Sequence, residues 1–225
     1  MRRRITRDDV DRALAPSPWD LANGVLYSLC ETHPKHIRDD AIIAKVWLIG
    51  RAYAAALERR RIAHDSSDVF YTTTVVKKLK KSGLDNWLVS LPRRIVDPWG
   101  ELALAVAVHK RLMDLFSRIT GLEKRSLASK YLHFHRPNVF FLYDSRASLA
   151  SGKVTPSIRS ITKIECASAD PRYLSMVRRC QWIRDDVSQR FGVLLTPRQV
   201  DNILLRIAGT MERRHKQIPR ANARG

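Results

Sequence analysis

The stretch "NVFFLYDSRASLASG", residues 138–152, runs five apolar or aromatic residues, Val139 to Tyr143, straight into an aspartate, a serine and an arginine. A helix-compatible segment follows to Ser151, and Asp144 or Ser145 stands where its N-cap belongs. Upstream, Ser126 is placed to cap "LASKYLHF", a helix that has to end before Pro137. The pattern therefore predicts an extended connection over residues 135–143 between two short helices. A carboxylate sits at the mouth of the second.

Working outward, nearly every segment repeats with helical period, and no convincing period-2 alternation or internal repeat is found. Thr6 and Asp9 form a first capping pair. "SPWDLANGVLYSLCE" places Trp19, Ala22, Leu26 and Leu29 on one stripe of a second helix that ends before Pro34. From Asp39 to about Ile62, acidic residues in the first turn and arginines in the last suit a helix dipole, with Ile42, Val46, Ile49, Tyr53 and Leu57 as its apolar face. Helices are also expected over Val69 to Lys81, over "LDNWLVSL" and over "PWGELALAVAVHKRLMDLFSRITG", which opens at Pro98 and closes at Gly121. Two more amphipathic helices fill the last third, the second with Thr196 as cap and Pro197 at its first position. The expected fold is all-α: a compact multi-helix bundle, one unit over 1–215 with a soft boundary near 64–68 and a frayed basic tail over 216–225.

Forty-one Lys and Arg against 22 Asp and Glu leave a net charge of +19. That excess has to face water or a polyanion, and nucleic acid is the leading partner class. No apolar stretch approaches the roughly 20 residues that span a bilayer, and "MRRRITRDDVDRAL" lacks the apolar segment of a signal peptide. A cytoplasmic protein without a membrane or obligate protein partner is expected. Cys30, Cys166 and Cys180 have neither the pairing nor the spacing of a disulfide framework or a zinc site. No phosphate-binding glycine loop, nucleophile elbow or zinc-deaminase signature is present, so neither a cofactor nor a metal is expected.

Cations cluster at Arg59–Arg61, Lys77–Lys78, Lys80–Lys81, Arg93–Arg94 and Lys124–Arg125; singly each reads as a solvated helix face, and only their sum favours a polyanion. "TGLEKRSLASKYLHF" is a polar hairpin between helices, bent at Gly121, with helix-start amides suited to a phosphate. Together with the aspartate about twenty residues on, it resembles the helix-hairpin-helix DNA glycosylase superfamily, particularly its oxoguanine-glycosylase-like branches. The residues carrying the resemblance are Gly121 to Phe134 and Pro137 to Arg146, and "SPWDLANGVLY" extends it weakly. The hairpin reads Gly121-Leu122-Glu123 where the family usually has a second glycine.

The resemblance implies that the hairpin grips the DNA backbone and that Asp144 is the catalytic carboxylate. In bifunctional members a lysine near the hairpin forms a Schiff base. Lys124 falls near that place, Ser126 matches it equally well, and Lys130 lies one turn inside the helix. A monofunctional enzyme needing only Asp144 is therefore preferred. Expected backbone contacts are Gly121, Arg125, Ser126, Ser129, His133, His135, Ser145 and Arg146. The base to be excised is expected to be an oxidised purine or a hypermodified phage cytosine.

The chemistry fits Asp144 on its own terms. Breaking an N-glycosidic bond builds oxocarbenium character on the sugar, and a carboxylate kept ionised at a helix N-terminus stabilises that cation or activates water. An aspartate at an N-cap is also, more simply, a cap. Trp19, Asn23, Tyr27, Trp47, Arg51, Tyr53 and Tyr143 could line a base pocket and hold an extruded base by stacking and edge hydrogen bonds, with core packing the default for Trp47 and Tyr53. Asn23 is the informative member, because an amide on an apolar stripe needs a partner. The rival readings are a non-enzymatic helical DNA-binding protein and an RNA-directed protein.

Overall fold

The computed structural model describes residues 2–59, 69–93, 100–158 and 168–217, and every regular element within them is helical. Helix α1 (Arg7–Leu14) starts at a reciprocal capping box in which Asp9 N–H donates to Thr6 Oγ1 and Thr6 N–H donates to the Asp9 carboxylate. Helix α2 (Pro18–Thr32) repeats the device with Ser17 and Asp20. Helix α3 (Asp39–Ala52) follows, then a π-helical turn (Phe70–Val75) that runs into α4 (Val76–Lys80), and then α5 (Leu84–Val89). The long α6 (Gly100–Thr120) and α7 (Arg125–His135) form the hairpin pair. Helix α8 (Ser145–Val154) is capped by Asp144, α9 (Pro171–Phe191) by Asp170, and α10 (Pro197–Gln217) starts after Thr196, whose Oγ1 accepts from Gln199 N–H.

These helices bury two apolar cores. The first collects α2, α3, the π-turn, α4, α5, most of α6 and α7. The second collects Ile5, α1, α8, α9 and α10. Among the described residues, only two segments belong to both. Helix α6 gives Leu102 and Val106 to the second core and Leu112, Phe116 and Ile119 to the first. The extended connection does the same with adjacent residues: Phe140 enters the first core and Phe141 the second, each at most 2% exposed. Successive side chains of an extended chain point to opposite sides, so an apolar run needs no polar face when both sides are core. This is why residues 138–143 carry no alternation.

Three expectations are corrected. Helix α3 stops at Ala52 because the chain folds back over it: Ala54 adopts φ 50°, Ala55 N–H donates to Gly50 O at 2.7 Å, and a Cβ on Gly50 would lie 3.0 Å from Ala56 Cα. Leu57 still reaches the core, from this turn and not from the helix. On α2 the buried line is Asn23, Leu26 and Cys30, while Trp19 and Ala22 face outward. Helix α7 begins at Arg125 with Lys124 as its N-cap residue, and Ser126 lies inside it. The proposed boundary at 64–68, Pro98, Cys166 and most of the tail lie outside the described residues.

Two consequences follow for stability. Phe140→Ala and Phe141→Ala each empty a different core and are expected to lower the unfolding free energy by about 3–5 kcal/mol in urea titrations. Burial also pushes His36, His109 and His133 down to about 4, a shift that outweighs even the Asp85 carboxylate hydrogen-bonded to His36. An unfolded histidine titrates near 6.5, so between pH 6.5 and 4 the unfolded chain takes up protons that the folded chain excludes. The histidine contribution to stability should be level above pH 7 and fall by about 1.4 kcal/mol per pH unit for each histidine as the pH drops through that window. Denaturation midpoints that do not change between pH 7 and 5 would contradict this.

Candidate functional site

The hairpin closes on Gly121, whose φ of 74° is the left-handed conformation that glycine adopts without steric cost, and whose N–H donates to Ser117 O at 2.7 Å. Its two cations are engaged in holding the fold. Arg125 grips Asp170, the cap of α9, through two bonds of 2.5 and 2.7 Å in a nearly buried pair, with Glu123 as a third contact at 2.9 Å. That pairing drives the guanidinium still further towards its charged form and holds the Asp170 carboxyl below its ordinary range against burial. Lys124 Nζ donates to Arg59 O at 2.6 Å and Ala56 O at 3.3 Å, pinning the turn after α3.

One turn of α7 then fixes the residue before the aspartate. Tyr143 N–H donates to Ser129 Oγ at 2.8 Å, while Tyr143 O accepts from Lys130 Nζ at 2.7 Å and Ser126 Oγ at 3.1 Å. Lys130 Nζ also donates to Ser126 Oγ at 2.7 Å. Both polar groups of one residue's backbone are thus held by three side chains of a neighbouring helix. Asp144 follows immediately, and its Oδ1 accepts from Arg146 N–H at 2.9 Å and Ala147 N–H at 3.3 Å. Both capping bonds fall on Oδ1, so Oδ2 has no donor among the described residues. The carboxylate is partly exposed.

Behind it lies a buried charge cluster. Lys130 is 3% exposed, and burial pushes its ammonium below the usual range although Asp201 and Asp144 favour the charged form. Asp201, on the inner side of α10, is 4% exposed; burial pushes its carboxyl up to about 6 against Arg198 and Lys130. Arg198 Nη1 donates to Asp201 Oδ2 at 2.8 Å, while Asp201 Oδ1 has no partner among the described residues. Lys130 Nζ also lies 5.5 Å from the centre of the Tyr53 ring, and Tyr53 OH donates to Asn23 Oδ1 at 2.8 Å, while Asn23 Nδ2 is unpaired among the described residues. Tyr53 also lines a cleft of about 790 Å³ between α1, the start of α2, the end of α3 and α10.

Several expected contacts are corrected by burial. Ser129 and His133 are fully buried and His135 is 7% exposed, which removes them from any backbone-gripping surface. His133 Nδ1–H donates to Phe140 O at 2.8 Å, so Nε2 accepts from Tyr27 OH at 2.7 Å. Ser126 serves the Tyr143 clamp, Ser145 is exposed, and Arg146 is exposed but paired with Glu212 at 2.6 and 2.9 Å. The seven base-pocket candidates do not converge. Trp19 and Tyr53 line the cleft, Asn23 sits behind Tyr53, and Tyr27 faces His133. Trp47 is covered by Arg51 at 4.6 Å, which itself pairs with Glu58, and Tyr143 lies under Arg125 at 5.5 Å.

Asp201, Arg198 and Asn202 escaped the sequence reading, although a signal existed. Asp201, Leu204 and Ala208 share one helical face, and a carboxylate on such a stripe has the same need of a partner as Asn23. Among the described residues no group of three or more His, Cys, Asp or Glu is arranged to hold a metal ion, and no helix is long and apolar enough to cross a membrane. No protein-family model matches the chain, and neither a curated protein nor a solved structure matches it.

The raised carboxyl of Asp201 has a sign that can be checked. The folded chain holds this proton more tightly than the unfolded chain, so the ionised group costs stability above pH 6 and nothing below the unfolded value near 3.8. Asp201→Asn, which keeps an acceptor for Arg198, is expected to stabilise the protein by about 3 kcal/mol at pH 8. The gain should vanish below pH 4, as read from paired urea titrations.

Proposed function

We propose that the protein is a DNA glycosylase that extrudes a damaged or modified nucleotide from duplex DNA and hydrolyses its N-glycosidic bond, with Asp144 as the catalytic carboxylate. The observation that carries this reading is the geometry of Asp144: a clamped backbone, one oxygen held by helix amides and the other without a donor among the described residues. The first amides of α8 hold one carboxylate oxygen in place, and rigidity is what electrostatic stabilisation of a developing cation requires. The charge of +19 supplies attraction to the phosphate backbone, and the hairpin from Gly121 to Arg125 supports the resemblance to helix-hairpin-helix glycosylases.

In the reaction, the bond from the sugar C1′ to the base nitrogen breaks and its electron pair leaves with the base. Asp144 faces the resulting oxocarbenium ion and accepts a proton from the water that adds to C1′, which leaves an abasic site. Lys130 is buried and donates to Ser126 and Tyr143, and Lys124 is committed to backbone carbonyls. Neither amine is presented as a free nucleophile, which supports hydrolysis over lyase chemistry and gives Lys130 the part of a positioning residue. The candidate bases are an oxidised purine and a hypermodified phage cytosine, which correspond to repair and antiviral roles.

Wild-type protein incubated with genomic DNA, including DNA from phage with modified bases, is expected to release a free base detectable by mass spectrometry. Asp144→Asn keeps the cap and should lower that release by about 10²–10³-fold with duplex affinity unchanged. Affinity should fall steeply with salt for both proteins. If neither releases a base while both bind duplex equally, Asp144 is only a helix cap and the protein is a binding module.

A further inference from the structure

The cleft of about 790 Å³ behind Tyr53 falls in the range of about 300–1,000 Å³ typical of small-ligand sites. Five arginines and two aspartates line it. Three of the arginines are neutralised locally: Arg3 by Asp9, Arg12 by Asp8 and Arg198 by Asp201. Arg206 and Arg213 are not. Both are exposed, neither has an acidic partner among the described residues, and the one side-chain contact of Arg213 is a long 3.4 Å bond to Thr210 Oγ1. Along the same face of α10, Asn202 contributes an amide with no side-chain hydrogen bond among the described residues, and Gly209 faces open space, where an added Cβ would meet nothing within 4 Å. The opposite wall carries Trp19, which is 63% exposed despite its size.

A concave site with an uncovered aromatic ring, an unpaired amide and two unpaired guanidinium groups has the chemistry of a nucleotide receptor. The ring offers a stacking surface to any base, the amide both donates and accepts at a base edge, and guanidinium is the preferred partner of phosphate. Arg213 follows Arg206 by seven positions, which places them about 10 Å apart along the helix axis. That spacing suits two phosphates better than one.

We propose that the cleft between α1, the start of α2 and α10 is a nucleotide site, in which Trp19 stacks on the base, Asn202 meets its edge, and Arg206 and Arg213 hold the phosphates on either side of the sugar. The site is distinct from the base pocket that the sequence suggested and shares only Trp19 and Tyr53 with it. Its occupant is a nucleotide phosphorylated at both 5′ and 3′ positions, whether free or as a link in a strand. The inference draws on the DNA-directed reading for the second source only and does not require base cleavage.

The test uses the full chain and 2′-deoxynucleoside 3′,5′-bisphosphates, with the 5′-monophosphates and inorganic phosphate as references, followed by calorimetry and tryptophan fluorescence. The bisphosphate is expected to bind at least about ten-fold more tightly than the monophosphate, and Arg206→Gln or Arg213→Gln should remove that preference. Quenching should be lost in Trp19→Ala. Gly209→Leu fills the cleft from a position with room for a side chain; it should melt no lower than wild type yet bind at least about ten-fold more weakly. Asp144→Asn should bind like wild type, so loss of base release and loss of nucleotide binding remain separable failures.

A duplex carrying 2-aminopurine distinguishes the two sources. A fluorescence rise that Gly209→Leu abolishes assigns the nucleotide to a strand, and no rise with intact bisphosphate binding assigns it to free nucleotide. Equal affinity for inorganic phosphate and bisphosphate, or Gly209→Leu binding like wild type, overturns the proposal.

Discussion

The structure depends on the way one residue's backbone is held. Tyr143 has its N–H taken by Ser129 and its carbonyl taken by Lys130 and Ser126, all within six residues of α7. An extended segment between two helices ordinarily satisfies such groups with water or a neighbouring strand. Here Phe140 and Phe141 drive into separate cores just upstream, and the chain reaches Tyr143 packed against α7. Side chains of α7 meet these groups instead, Ser129 Oγ accepting from the N–H and Ser126 and Lys130 donating to the carbonyl, and the lysine is stripped of nearly all its hydration. Whatever α7 does therefore fixes where the following aspartate stands.

That lysine sets the electrostatics of the interior. A buried ammonium is tolerated only when carboxylates and carbonyls replace its water, and Asp201 and Asp144 lie near enough to favour its charged form. The replacement is incomplete, since Asp201 keeps an unpaired oxygen and is itself desolvated. A core designed only for stability would use apolar side chains here. The persistence of an under-satisfied charge cluster beside a partly exposed carboxylate and an open cleft is the kind of cost that functional sites carry.

Much of the architecture was legible in the sequence. Helical period, Pro and Gly punctuation and capping pairs gave an all-α protein and located both ends of α7 and the starts of α1, α8 and α10 to within about two residues, while α8 runs three residues past its expected end at Ser151. The same local rules missed what depends on distant partners. Ser126 has the profile of a cap, yet a lysine four residues on and a carbonyl seventeen residues on draw it inside the helix. The apolar face of α3 seemed to continue to Leu57 because Leu57 is indeed buried, although the chain reaches that burial by folding back over Gly50. His133 and Ser129 read as polar surface because nothing local reveals that Tyr27 and the Tyr143 amide will come to meet them. In the site, Asp144 was visible because its oddity lies in sequence neighbours, whereas Asp201 acquires its meaning only from Lys130, seventy-one positions away.

Helix α6 bears on how the molecule comes apart. It is a shared beam, seated in one core by Leu102 and Val106 and in the other by Leu112 and Phe116. Midway along it, His109 stacks on Tyr173 of α9 at 3.6 Å and donates through Nε2 to Arg125 O. Tyr173 in turn donates to Phe141 O, in the second segment that joins the cores. Two seams that cross the same boundary and are tied to each other leave no independent melting unit on either side. Cooperativity is thus built into the crossing, and two hydrophobic cores behave thermodynamically as one.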